Sequence, residues 1–236
     1  MTKLILFDID GTLVLTGGAG LRAMMRAFRD VFGVANGFER IQMNGRTDRW
    51  ILGQLTTFHS IPCDDAVVRR FHDVYVSYLS EEVRQPGPRK GIMPGVRPLL
   101  DVLSSRSDAF LALLTGNFES GARIKLEYFD LWRYFRCGAF GDLAQERNGL
   151  LATAIDRVGA CGGPRVQPSE AVIVGDTPLD IAVAVAGGAK SIGVATGSHD
   201  ADTLRASGAD VVLHDLTDVD AVLSALGLEE QSTVDS

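Results

Sequence analysis

Short apolar runs alternate along this chain with stretches of helical periodicity, and no other feature restricts its fold as strongly. The runs are Lys3–Ile9, Ala109–Thr115, a weaker Phe135–Phe140, Ala171–Gly175, Ser191–Ala195 and Asp210–Leu213. The spacing predicts helices over Val96–Ser104, Glu119–Tyr128, Asn148–Val158, Leu179–Ala186, Asp200–Ala206 and Asp218–Leu226. Strands linked in this way by helices argue for an α/β fold, a Rossmann-like parallel sheet covered by helices on both faces. Open sheets of this type bind ligands at the carboxyl ends of their strands.

One block breaks the alternation. From Gly17 to about Gln85 the pattern is helical, in pieces Leu21–Phe32, Asp48–His59 and Asp64–Val83. Gly17, Gly18 and Gly20 open it and Pro86-Gly87-Pro88 closes it, as hinge or loop residues do. The expected division is a core domain of residues 1–16 and 90–236 with an all-helical cap inserted over 17–89. The glycines complete neither G-x-G-x-x-G nor G-K-[ST], so they form no nucleotide loop.

The first strand runs into Asp8-Ile9-Asp10-Gly11. Asp8 and Asp10, two apart, leave a strand end on the same side. Two adjacent carboxylates repel unless a cation or a shared proton lies between them. Asp10-Gly11 also suits an ordinary hairpin turn between Lys3–Ile9 and Thr12–Thr16, and on this segment alone the two readings balance. An EF-hand is disfavoured because its acidic spacing does not continue past Gly11.

Three later stations tip the balance. Thr115-Gly116-Asn117 follows a strand and precedes a helix, where a hydroxyl and free amides can hold an anion, although capping alone explains Thr and Asn there. Asp176, in Gly175-Asp176-Thr177-Pro178-Leu179-Asp180, brings a third acid to the same sheet edge; Asp176 or Thr177 can cap the helix that follows. Three acids at the edge of an apolar sheet call for a hard cation, and a donor set without Cys or His suits magnesium. Arg147 opens a helical run and, unless it is a plain surface residue, could oppose phosphate oxygens.

Composition excludes several classes. The net charge is −7, and Arg69-Arg70 and Arg133 with Arg136 are too sparse for a nucleic-acid surface. The apolar stretch from Ala171 to Ala189 is interrupted by Asp176 and Asp180, so no membrane span is expected. The first residues lack a signal-peptide pattern, and three dispersed cysteines with no C-x-x-C argue for reduced thiols in the cytoplasm. Four scattered histidines argue against zinc. The last residues, 229–236, read as a frayed polar end.

Taken in order, Asp8-Ile9-Asp10-Gly11-Thr12-Leu13, Thr115, Arg147 and Gly175-Asp176-Thr177-Pro178-Leu179-Asp180 resemble the motifs of the haloacid dehalogenase superfamily, and within it the phosphoglycolate phosphatases with a helical cap. The resemblance implies a phosphatase acting on a small phosphorylated metabolite. Asp8 would be the nucleophile and Asp10 the acid/base. Magnesium would be held by Asp8, the Asp10 carbonyl and Asp176, with Asp180 supporting. Thr115, Gly116, Asn117 and Arg147 would hold the phosphoryl group. The family's usual basic residue is a lysine; Lys125 is the nearest, but a helix would carry it about 15 Å away.

Relatives on this fold differ in chemistry. Asp10 disfavours the dehalogenase branch, which has an aromatic residue there. The absence of lysine between Val14 and Arg89 disfavours the phosphonate-cleaving branch. Gly20 stands where the sugar phosphomutases carry histidine, which leaves mutase as the runner-up, with pyrophosphatase also open and a silent binding protein as the rival class. Gly45-Arg46-Thr47-Asp48 runs into a helix start that Asp48 or Thr47 can cap, and Arg46 is either a surface residue or a contact to a carboxylate or second phosphate of the substrate.

Overall fold

The computed structural model describes residues 2–142 and 146–228; the tail 229–236 lies outside the described residues. Six strands, β1 (Lys3–Phe7), β4 (Ala109–Leu114), β5 (Gly138–Ala139), β6 (Ala171–Gly175), β7 (Lys190–Val194) and β8 (Val211–Leu213), form one sheet in the order β5-β4-β1-β6-β7-β8. Every neighbouring pair is parallel. Between these strands run α4 (Val96–Ser105), α5 (Glu119–Tyr128), α6 (Leu150–Ala160), α7 (Pro178–Gly187) and α8 (Ala201–Ala206), and α9 (Val219–Leu226) follows β8.

Alternation along the central strands builds both layers. Ile5 and Phe7 of β1 with Val172 and Val174 of β6 face one apolar cluster, covered by Leu99, Leu103, Leu126 and Leu223. Leu4, Leu6 and Ile173 face the opposite cluster, covered by Leu151, Ala154 and Val183. Successive side chains on a strand point to opposite faces, so strands buried on both sides must be apolar throughout. Each large side chain buried in this way contributes about 2 kcal/mol.

Register sets the edge where ligands bind. Phe7 pairs with Leu113 on one side and with Val174 on the other. The residues just past these pairs, Asp8, Thr115 and Asp176, therefore emerge together at the carboxyl edge.

The helical block comprises α1 (Ala19–Phe32), α2 (Asp48–Phe58) and α3 (Asp65–Glu82). Their inward residues, among them Phe28, Leu52, Leu55, Phe71 and Leu79, form a third cluster of their own, which Phe118 from the β4–α5 loop enters.

The hairpin alternative after β1 does not form, and the short ribbon and the fifth strand depart from the sequence expectation. The chain turns at once after β1, with the Ile9 carbonyl accepting from the amides of Leu13 and Val14, so no hairpin returns along it. Val14–Leu15 (β2) instead pairs antiparallel with Gly91–Ile92 (β3), a ribbon too short to carry a periodicity. Of the expected Phe135–Phe140 strand only Gly138–Ala139 pairs, because Phe135 turns into the core against Phe7 with ring centroids 6.0 Å apart.

Candidate active site

The carboxyl edge holds a compact group of buried charges. Asp8, Asp176 and Asp180 each offer a carboxylate oxygen, and these oxygens lie within 4.8 Å of one another. Arg147, in a short 3-10 turn ahead of α6, puts Nη2 2.9 Å from Asp8 Oδ1 and also binds Asp180 Oδ1. Its Nη1 donates to the Gly45 carbonyl at 2.8 Å, and its Nε is buried with no acceptor among the described residues.

Local chemistry decides which acid is available. Thr177 caps α7, accepting from the Asp180 amide, while Asp180 Oδ2 accepts from the Thr177 amide at 3.0 Å and hydroxyl at 2.7 Å. That reciprocal box satisfies the helix start and leaves Asp176 uncommitted to capping. Asp176 instead accepts from the Thr12 hydroxyl at 3.0 Å. Two glycines give it room: a Cβ on Gly11 (φ +88°) would sit 2.4 Å from its Oδ2, and one on Gly197 1.7 Å.

Burial, opposed by Arg147 and reinforced by Asp180, raises the Asp8 pKa from 3.8 to about 6. Burial, with Asp180 and Asp8 added, pushes Asp176 well above the ordinary carboxylate value. One guanidinium thus faces three crowded carboxyl groups, a charge excess that a hard divalent cation neutralises. The donor set is all oxygen and fits such an ion.

Asp10 faces elsewhere. Its Oδ2 accepts from Lys125 Nζ at 2.6 Å and from Asn117 Nδ2 at 2.9 Å. Lys125 also donates to Asn117 Oδ1 at 2.7 Å, and Asn117 Nδ2 donates to the Thr115 hydroxyl at 2.8 Å. The sequence estimate that set Lys125 about 15 Å away is therefore corrected. Only 119–125 lie in α5, a rise of about 9 Å, and helical side chains lean back toward the amino terminus. The lysine's four-carbon arm closes the remaining gap, so Arg147 and Lys125 both serve the cleft.

The start of α5 is less open to an anion than its sequence suggests. The Phe118 amide donates to Asp48 Oδ2 at 2.8 Å and the Glu119 amide to Asp142 Oδ2 at 2.9 Å. Asp48 is free to do this because Thr47 caps α2. Burial raises the Asp48 pKa from 3.8 to about 6, against the pull of Lys125.

The cleft above these groups has a volume of about 350 Å³. Its far wall carries Leu21, Met24, Met43, Ile51 and Tyr75 from the helical block, with Arg46, Asp48 and Arg89. The Arg46 guanidinium stacks 4.4 Å over the Trp50 ring, and Arg89 donates to the Thr196 carbonyl at 2.8 Å. Sequence reasoning singled out neither Arg89 nor Tyr75 and treated Asp48 only as a cap. A residue's turn toward a cleft between two packed units leaves no periodic signature.

Among the described residues no helix is long and apolar enough to cross a membrane. The chain is 29% identical over 232 residues to a Dickeya dadantii protein named "Probable phosphatase IndB", covering 96% of this chain and 95% of that protein. It is 27% identical over 257 residues to the phosphoglycolate phosphatase of Shigella boydii, covering 98% and 95%. A crystal structure of a hydrolase from Pseudomonas syringae superposes with a TM-score of 0.71 at 22% identity, covering 95% of this chain and 98% of the other. The family model of haloacid dehalogenase-like hydrolases matches residues 5–194. With that match spanning most of its length, the chain belongs to the haloacid dehalogenase-like hydrolases.

Proposed function

We propose that the protein is a magnesium-dependent phosphatase that cleaves the phosphate ester of a small metabolite through an aspartyl-phosphate on Asp8. The observation that carries this reading is the convergence of Asp8, Asp176 and Asp180 on one edge with Arg147 2.9 Å from Asp8. Phosphoryl transfer depends chiefly on positioning and on neutralising negative oxygens, and this edge offers both.

Asp8, the Asp10 carbonyl and Asp176 would hold the magnesium ion, with Asp180 behind them through Thr177 and Arg147. When bound, the ion supplies the positive charge that lets an anionic nucleophile approach an anionic phosphoryl group. Asp8 attacks phosphorus through a carboxylate oxygen, and the ester P–O bond breaks. Asp10 gives its proton to the departing oxygen, then takes one from the water that hydrolyses the acyl phosphate. Arg147, held between Asp8 and Asp180, opposes the charge on the phosphoryl oxygens. Thr115, Gly116 and Asn117 line the same cleft and complete the cradle.

Residues 17–89 act as a cap over a core of 1–16 and 90–236, and the apolar far wall selects the substrate's body. Arg46 lines that wall and would pair with a carboxylate or second phosphate. Hydrolase is favoured over mutase because Gly20, at the position where the mutases carry histidine, lines the cleft with no side chain to take part in acid–base chemistry. Release of phosphate from p-nitrophenyl phosphate, requiring magnesium and lost in Asp8→Asn, tests the reading. Activity that survives chelation or that substitution overturns it.

A further inference from the structure

We propose that Lys125 is a positioning residue for Asp10: it fixes Oδ2 so that Oδ1 alone faces the leaving group. The inference rests on the phosphatase reading above and adds to it an atom-level assignment and a second cation. Arg147 already stands against Asp8, so Lys125 is not a duplicate of it.

Lys125 and Asn117 close a three-membered network on one oxygen. Asp10 Oδ2 accepts from both, while Lys125 Nζ also donates to Asn117 Oδ1. This arrangement orients the Asn117 amide uniquely, because its oxygen must meet the ammonium and its nitrogen the carboxylate. Asp10 Oδ1 takes no hydrogen bond from any described side chain, and the Asp10 side chain is 38% exposed toward the cleft. One oxygen is locked and the other is open.

The ammonium sits in a space made for it. Lys125 is 4% exposed, and Gly20 lies beside it: a Cβ there would sit 3.4 Å from Nζ and 3.7 Å from Cε. Holding a buried charge is costly, and an apolar residue on this inner side of α5 would pack at lower cost. The gain lies in geometry and charge. Two charge-assisted donors on Oδ2 hold the carboxyl group in one orientation, and a fixed donor raises the fraction of productive encounters.

In the first half-reaction the Oδ1–H bond breaks and the leaving oxygen gains that proton as it takes the electrons of the ester P–O bond. Asp10 is left as a carboxylate whose charge rests partly on Oδ2, against the ammonium. In the second half-reaction Oδ1 takes a proton from the attacking water, whose oxygen bonds phosphorus as the Asp8–phosphorus bond breaks and phosphate leaves, and the cycle closes.

The test compares two leaving groups in the full-length, magnesium-loaded protein. A p-nitrophenolate departs without a proton, whereas phenolate from phenyl phosphate benefits from one. Lys125→Met is expected to lower kcat about tenfold further on phenyl phosphate than on p-nitrophenyl phosphate, with KM changed by about twofold or less. Lys125→Arg, which keeps a cation, is expected to recover part of the phenyl phosphate loss. Lys125→Gln is assayed alongside, so the comparison survives if the methionine variant does not fold. Equal losses on both substrates would mark Lys125 as merely structural and overturn the proposal while leaving the phosphatase reading intact. Failure of the unmodified protein to hydrolyse either ester would overturn both together.

Discussion

The two walls of the cleft are built on opposite principles. The floor, at the ends of β1, β4 and β6, packs Asp8, Asp176, Asp180 and Arg147 at exposures of 6% or less. Arg147 pairs with both Asp8 and Asp180, and Asp176 accepts from the Thr12 hydroxyl. The roof, from α1, α2 and α3, is mostly apolar at the cleft and rests on its own cluster around Phe28 and Phe71. Contacts between the walls are both polar and apolar: the Asp48 amide donates to the Gly116 carbonyl, the Asp48 carboxylate accepts from the Phe118 amide, Arg147 donates to the Gly45 carbonyl and Asn44 to Ser198, while the Phe118 ring packs beside Tyr75 in the helical cluster. A floor that crowds like charges can hold and activate an anion but has little freedom to vary. A roof with a core of its own, seated through hydrogen bonds and the Phe118 contact, can open, and its lining can change without disturbing the chemistry below.

If that contrast is right, substitutions in the floor act on the reaction and those in the roof on selection. The largest effect is expected from Asp8→Asn, which should lower phosphate release by at least about a thousandfold while circular dichroism shows a retained fold. Next comes Arg147→Met, which leaves Asp8 and Asp180 without their shared cation. Breaking a buried pair of this kind costs about 3–5 kcal/mol, measured by urea denaturation, and added magnesium should restore part of it.

The boundary between the walls is probed by Asp48→Asn. With its folded pKa at about 6 against 3.8, Asp48 binds a proton more tightly folded than unfolded. Its contribution is therefore full below about pH 3.8 and lost as pH rises through 6. The unsubstituted protein should lose on the order of 2 kcal/mol relative to Asp48→Asn between pH 4 and 7. A pH-independent difference in urea midpoint would break the assignment. The smallest effect belongs to Arg46→Ala: about a tenfold fall in kcat/KM for substrates bearing a second anionic group, with stability changed by less than about 0.5 kcal/mol. An unchanged kcat/KM would place Arg46 outside substrate recognition.

The fold was legible to within a residue or two at most element ends. Burial on both faces leaves an unbroken apolar run such as Leu4–Phe7, and a single packed face leaves a helical period. The acids of the floor were legible too, because strand ends that register side by side bring residues far apart in sequence to one edge. Asp8 and Asp176 needed only the rule that parallel strands share an edge. Lys125 was misjudged because counting residues along a helix ignores the lean and reach of a long side chain. Asp48 was read as a cap because a helix start explains an aspartate locally, whereas its partner, the Phe118 amide, lies 70 residues away.

Local chemistry thus sets which segments become strands or helices and which acids meet at the sheet edge, since periodicity and strand register are short-range properties of the chain. How Lys125 bends onto Asp10, which amide Asp48 accepts from, and which residues roof the cleft depend on how the helical block seats on the sheet. That seating is a sum of packing contacts and hydrogen bonds between residues distant in sequence, and no window of neighbouring residues contains it.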